Sequence, residues 1–174
     1  MNSTFFNKSA DEVAQLLLGN YLVRVIDGVK KKAIIVETEA YFDKHDPASR
    51  ACFNGDICET MHMSGGTILV YGVHNNWLIN IVTGKKGEAS AVLLRALEPI
   101  NFDAKTNGPG LLTKALSITK EFHKKNIFDN DMLWIETNRE NNFSVKKSFR
   151  IGVKKDLPKK LRFYIKGNKW VSRT

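Results

Sequence analysis

Residues 34–41 read IIVETEAY, a strand-like run with two acids set into it. On a strand of period two, Ile34, Val36, Thr38 and Ala40 share one face, while Ile35, Glu37, Glu39 and Tyr41 share the other. Two carboxylates then point the same way, their Cα atoms about 6.6 Å apart at ~3.3 Å of rise per residue. At that separation each disfavours ionisation of the other unless a cation intervenes. Such a pair either lies on a solvated strand face or is compensated and used.

The flanking sequence places this strand in a sheet. Tyr21 to Ile26 (YLVRVI), Asp27-Gly28 and the run from Ala33 to Tyr41 read as a hairpin, with Lys30, Lys31 and Lys32 bulging out near the turn. Before it, Ser9-Ala-Asp-Glu12 forms a capping box, and Val13, Leu16 and Leu17 give a helix an apolar stripe that ends at Gly19. After it, Phe42 to Gly66 has no clean period and is punctuated by Asp46-Pro47, Asn54-Gly55 and Gly65-Gly66. In a compact domain such a stretch is more often functional than idle.

A second hairpin follows, Thr67 to Tyr71 and Trp77 to Val82, around the turn Gly72 to Asn76. Its tip, His74, Asn75 and Asn76, is either a polar turn or a probe that reaches into a partner. Ala89 to Leu97 (ASAVLLRAL) reads as a buried strand with Arg95 embedded in it. A buried arginine needs an anion, and the acids in comparable apolar surroundings are Glu37 and Glu39. Asn107-Gly-Pro-Gly110 opens a helix with Leu111, Leu112, Ala115, Leu116 and Phe122 toward the core. Met132 to Thr137 is a strand, Asn138 to Ser144 a polar loop, and Phe149 to Val153 with Leu161 to Gly167 close the sheet. The pattern predicts one α+β domain over residues 1–174, dominated by antiparallel strands.

Composition narrows the function classes. With 174 residues, 43% hydrophobic and 10% aromatic, the chain has the makings of a real core. No apolar run approaches the length of a membrane span, and the first residues carry no basic or apolar leader, so an intracellular protein is expected. Cys52 and Cys58 are expected as free thiols, and Cys52-x5-Cys58 with His62 lacks the second close pair that a zinc site needs. Charge is concentrated: residues 146–174 carry 11 Lys and Arg against one acid, Asp156, a net of +10, whereas residues 1–145 carry 16 against 17, a net of −1. Phe149, Phe163, Tyr164 and Trp170 lie among those cations, so a packed basic surface is expected, with a polyanion as its partner.

IVETEAY, DPAS, VLLRALEP (Val92 to Pro99), GPGLLTKALSI (Gly108 to Ile118), RIGV and LRFYIKGNKWVS (Leu161 to Ser172) resemble, in this order, the alkyladenine DNA glycosylase family, the 3-methyladenine glycosylases without a helix-hairpin-helix. The resemblance runs from about Phe5 to Ser172 and is weakest between Cys52 and Asn76. It implies a single mixed domain with a curved antiparallel β-sheet, flanking helices and a protruding β-hairpin that enters the minor groove of double-stranded DNA. It implies hydrolysis of the N-glycosidic bond of a flipped, damaged purine (3-methyladenine, 7-methylguanine or hypoxanthine), by a monomer needing no cofactor and no metal.

Residue by residue, the resemblance makes Glu39 the general base on the attacking water and gives Arg95 a share of that water, with Glu37 as a supporting acid. The base pocket falls to Tyr41, Arg50, Tyr71, Asn80 and the backbone at Ile151 and Gly152. The intercalating wedge falls at His74 or a neighbour, and Lys154, Lys155, Lys159 and Lys160 belong to the face that meets the DNA backbone. Three departures stand out. Arg50 occupies a position where the family usually has histidine, the hairpin between Tyr71 and Asn80 is one residue shorter than the family's usual span, and Asn54 to Gly66 carries no Lys or Arg where a basic loop is usual. Two competing readings are a catalytically silent nucleic-acid-binding module and a lyase that attacks through lysine. Retention of both Glu39 and Arg95 argues against the first, and the lack of a lysine inside an apolar strand near them argues against the second.

Overall fold

The computed structural model describes residues 1–138 and 142–173. The chain is an α+β domain on a curled antiparallel sheet of eight strands. These are β1 (Tyr21–Ile26), β2 (Val29–Tyr41), β3 (Ile68–Val73), β4 (Asn76–Val82), β5 (Ala91–Pro99), β6 (Leu133–Glu136), β7 (Val145–Ser148) and β8 (Arg162–Ile165). Helices α1 (Ser3–Phe6), α2 (Ala10–Leu17), α3 (Asp56–Met61) and α4 (Pro109–Ala115) flank it, with 3-10 turns at Arg50–Cys52 and Lys120–Phe122. The strand order is β3-β4-β5-β2-β1-β6; β8 also pairs with β2, and β7 with β8. No helix among the described residues is long and apolar enough to cross a membrane.

β2 is central because it has three neighbours. One edge meets β5 from Ala33 to Tyr41; the other meets β1 from Val29 to Ile34 and then β8 from Glu37 to Glu39. The β1–β2 turn forms as its sequence dictates, with Asp27 (φ 50°) and Gly28 (φ 75°) in the left-handed conformation of a two-residue hairpin turn. The three lysines do not bulge. Lys30, Lys31 and Lys32 stay in register with Val25, Arg24 and Val23. Lateral partners hold them: Lys32 Nζ lies 3.8 Å from the Tyr21 ring centre and 2.9 Å from Glu136, and Lys30 sits over Trp134.

The irregularity lies further along, where the register between β2 and β5 shifts on both sides of Glu37. One residue on each strand, Val36 and Arg95, is left without a partner. The side-chain alternation inverts there: Ala33 and Ile35 enter the core before the bulge, Val36 and Ala40 after it. The uniform period expected over Ile34–Tyr41 is therefore corrected, for Ile35 does not share the face of Glu37. A bulge re-aims side chains in this way, and here it delivers both carboxylates to the face opposite the main core.

Four other expectations are corrected. Phe149–Val153 is a bent loop, not a strand; the strand precedes it as β7, and a buried ion pair on Arg150 pulls the loop off the sheet. Ser9 stands at the α2 N-terminus, but its side chain makes no cap and Glu12 bonds Lys8 instead. Leu16 and Leu111 are both 42% exposed, on the outer sides of α2 and α4, whose buried faces are Val13 with Leu17 and Leu112 with Leu116. Phe122 is buried, but on its own 3-10 turn. Of the polar loop expected at Asn138–Ser144, residues 139–141 lie outside the described residues.

Candidate active site

Strand register assembles the site. Across the sheet, Arg162 pairs with Glu39, Glu39 with Leu93, Leu93 with Asn80 and Asn80 with Leu69. Residues directly opposite on antiparallel strands project to one face, so this row brings Glu39, Asn80 and Arg162, which are far apart in sequence, onto one side. The neighbouring row adds Tyr41, opposite Ala91.

Glu39 is fully buried, with three hydrogen-bond donors on its carboxylate. Ile151 N–H donates to Oε1 at 2.8 Å, and Tyr41 O–H (2.8 Å) and Arg95 Nη1 (3.3 Å) donate to Oε2. Burial dominates and raises its pKa above the ordinary carboxylate range, opposed by Arg95, the Ile151 amide and the Tyr41 hydroxyl. Tyr41 in turn is pushed well up, first by burial and then by the neighbouring Glu39 charge. Arg95 Nη1 also lies 3.5 Å from the Ile151 carbonyl oxygen, so a carboxylate, a guanidinium and a backbone carbonyl converge at one point.

Glu37 is engaged differently. Its Oε1 accepts from Arg162 Nε (2.6 Å) and Ser172 O–H (3.0 Å), and its Oε2 from Ser172 N–H (2.7 Å). Arg95 Nε stands 3.3 Å away without the alignment of a hydrogen bond. Arg95 thus bridges both acids, the pairing that its apolar strand predicted, and Glu37 is turned toward Arg162 and Ser172.

Beside Glu39, the side chains of Tyr41, Arg50, Tyr71 and Asn80 border a recess completed by Ala48, Met61, Leu69 and Ala91. Its volume is about 10 Å³, room for about one water and no purine. Arg50, itself exposed, holds its guanidinium 5.3 Å from the centre of the Tyr71 ring, and Asn80 donates to the Leu69 carbonyl. Arg50 and Tyr71 also border an adjoining groove of about 510 Å³ with Phe53, Ile57, Trp77 and Lys120. Ile151 meets Glu39 rather than this recess, and the exposed Gly152 (φ 76°) turns the chain away.

The β3–β4 hairpin presents His74 (φ 46°) and Asn75 (φ 61°) as an exposed two-residue tip. Its base is anchored on α4: Thr113 O–H donates to the Trp77 carbonyl at 2.7 Å, and a Cβ added at Gly110 would stand 2.8 Å from the Asn76 side chain. Lys154, Lys155, Lys159 and Lys160 are exposed on the loop between β7 and β8, which begins at the Ile151 contact. Among the described residues, no group of three or more His, Cys, Asp and Glu is placed to hold a metal ion.

Three residues at the site went unread in the sequence: Asp46, Arg150 and Arg162, all buried. The signal for the arginines was present, since each stands in an apolar run as Arg95 does. Asp46 was masked by its Asp-Pro turn.

A family model described as Methylpurine-DNA glycosylase (MPG) matches residues 4–169. The chain is 41% identical to a protein of Aeropyrum pernix named "Putative 3-methyladenine DNA glycosylase", over 98% of this chain and 91% of the relative. Relatives of the same name from Borreliella burgdorferi, at 39% identity over 99% of this chain and 100% of the relative, and Legionella pneumophila, at 40% over 98% and 96%, are similar along their whole lengths.

Proposed function

Because the chain belongs to the methylpurine-DNA glycosylase family, we propose that it hydrolyses the N-glycosidic bond of a damaged purine turned out of duplex DNA, with Glu39 as general base. The observation that carries this reading is the buried Glu39 carboxylate, bridged to Arg95 and lying beside the aromatic recess. A stacked nucleotide hides its anomeric carbon, so the base must leave the helix before water can attack. As the base departs with the bonding electron pair, taking a proton from solvent where it leaves as an anion, the sugar becomes positive and the Glu39 anion stabilises it. Water held between Glu39, Arg95 and the Ile151 carbonyl directs one proton at the carbonyl, adds its lone pair to the anomeric carbon and gives its other proton to Glu39.

The extruded purine enters between Tyr41 and Tyr71, with Arg50 and Asn80 at its edge; the recess must widen to take it. His74 and Asn75 fill the gap left in the stack, and Lys154, Lys155, Lys159 and Lys160 meet phosphates. The substrates are alkylated or deaminated purines, and the product is an abasic site. Lyase chemistry needs an amine of depressed pKa in a dry pocket, and among the described residues no lysine is buried, which supports a monofunctional hydrolase.

The test is single-turnover base release from duplexes carrying hypoxanthine, 1,N6-ethenoadenine or 7-methylguanine, with Glu39→Gln as control. Release by the parent protein and none by the variant is expected. Tight binding of folded parent protein without release from any of them would leave a nucleic-acid-binding module instead.

A further inference from the structure

Arg150 has no part in the reaction above, yet its side chain is fully buried and every nitrogen is committed. Nη1 donates to Asp46 Oδ2 (2.6 Å) and the Ala40 carbonyl (2.9 Å), Nη2 to Asp46 Oδ1 (2.7 Å) and to Asp156, and Nε to Asp156 Oδ1 (2.9 Å). Its guanidinium lies 4.5 Å from the centre of the Tyr41 ring. Asp46 is itself fixed by the N–H groups of Phe42 and Ala48, at 3.0 and 3.1 Å.

The position of this cluster matters. Ala40 is the residue between Glu39 and Tyr41, so Arg150 grips β2 at the carboxylate's own neighbour. The residue after Arg150 is Ile151, whose N–H sits on Glu39 Oε1 and whose carbonyl faces Arg95. One guanidinium thus ties together the loop after β2, the catalytic strand and the Phe149–Val153 segment.

We propose that Arg150 is a positioning residue, which clamps the Phe149–Val153 loop to Asp46 and β2 and thereby holds the Ile151 backbone on Glu39. This rests on the reading of Glu39 as general base. An N–H donated to a carboxylate in a dry site favours the charged form, so the clamp keeps the base ionised as well as oriented. The other groups facing Glu39 are Arg95 from β5, Tyr41 and Glu37 from β2, and Tyr71 from β3. Of these, Tyr41 touches Arg150, and its hydroxyl acts on Glu39 in the same direction as the Ile151 amide. Lysine cannot replace the clamp, because a point cation does not grip two carboxylates and a carbonyl in one plane.

The experiment compares Arg150→Lys with Asp156→Asn. The second change neutralises one arm of the clamp while leaving an oxygen to accept from Arg150, whose bonds to Asp156 both fall on Oδ1, at a side chain 19% exposed; it protects the test if the lysine variant does not fold. The Glu39 carboxyl is titrated by carbon-13 NMR, identified by its absence in Glu39→Gln, and the pH profile of single-turnover excision is measured beside it. The Glu39 midpoint should rise by about one pH unit in Arg150→Lys and by less in Asp156→Asn, and the acidic limb of excision should follow. A folded variant with lowered thermal stability but an unmoved Glu39 midpoint would reduce Arg150 to a structural ion pair and overturn the inference. The NMR arm decides this even if the parent protein releases no base, in which case the functional reading fails separately.

Discussion

Glu37 and Glu39 are two residues apart, both fully buried and both touched by Arg95, yet their neutral isosteres should fail in opposite ways. In Glu37→Gln, an amide replaces the carboxylate that Arg162 meets at 2.6 Å and Arg95 Nε at 3.3 Å. An amide oxygen kept toward Arg162 turns the amide nitrogen onto Ser172 N–H, donor against donor. Arg95 keeps Glu39, but the buried Arg162 guanidinium loses the carboxylate that compensates it, a destabilisation of about 3–5 kcal/mol. At roughly 2–4 °C per kcal/mol for a chain of this size, the melting temperature should fall by roughly 6–20 °C.

In Glu39→Gln the destabilisation is smaller. Arg95 keeps Glu37, and one hydrogen bond goes, either that of the Ile151 amide or that of Arg95, at a cost of about 1–2 kcal/mol. Because burial already works against the Glu39 charge, neutralising it recovers part of that cost. Excision, however, should fall by at least the ~10²–10⁴-fold that a general base supplies, with binding to lesion duplex retained. Thermal melts and single-turnover rates at matched folded fraction separate the two. A Glu37→Gln protein that melts like the parent, or equal rate losses in both variants, would refute the division of labour between the two acids.

Three further outcomes are expected. Glu39 must be ionised to act and burial holds its pKa high, so the excision rate should fall as pH drops through that raised value; Tyr41→Phe removes a bond that lowers it, and the acidic limb in a pH–rate profile should move further up. Affinity for undamaged duplex should weaken steeply with salt, and replacing Lys154, Lys155, Lys159 and Lys160 by Ala should reduce the slope of log K against log salt by about one for each phosphate that a lysine no longer meets; titrations over a range of salt measure this, and an unchanged slope would take that loop off the backbone. A cationic base about 4 Å from Arg50 meets about 1–4 kcal/mol of repulsion, so the ratio of hypoxanthine to 7-methylguanine excision should drop roughly five-fold or more in Arg50→His, whereas equal ratios would place Arg50 on a phosphate.

Both hairpins were legible because their turns are local chemistry: Asp27-Gly28 and His74-Asn75 accept left-handed backbone, and the strands on either side alternate. The Arg95 bridge was legible because a cation inside VLLRAL has few anions to choose from. The bulge was not. Ile35 and Val36 are both apolar, so the pattern reads the same whether or not the faces invert between them, and the unpaired Arg95 across the ladder carries no local mark. FRIGV alternates like a strand, and what overrides it is Asp46, 104 residues away. The walls of the recess were invisible for a further reason: Met61, Leu69 and Ala91 are ordinary core residues in type, and strand register puts Leu69 and Ala91 beside Asn80 and Tyr41 while the packing of α3 brings in Met61.

The grip of Glu37 on Ser172 spans 135 residues of chain, and this sets an order of events during synthesis. At a synthesis rate of about 5–20 residues per second, β2 and β5 are made several seconds before Arg162 and Ser172. Through that interval Glu37 and Glu39 have Arg95 as a partner but lack Arg162, Ser172 and the Ile151 amide. A chain that stops short of β8 therefore lacks the donors that hold Glu37 in place. The Glu37–Arg95–Glu39 cluster is thus completed only with the last strand, as a late step of biogenesis.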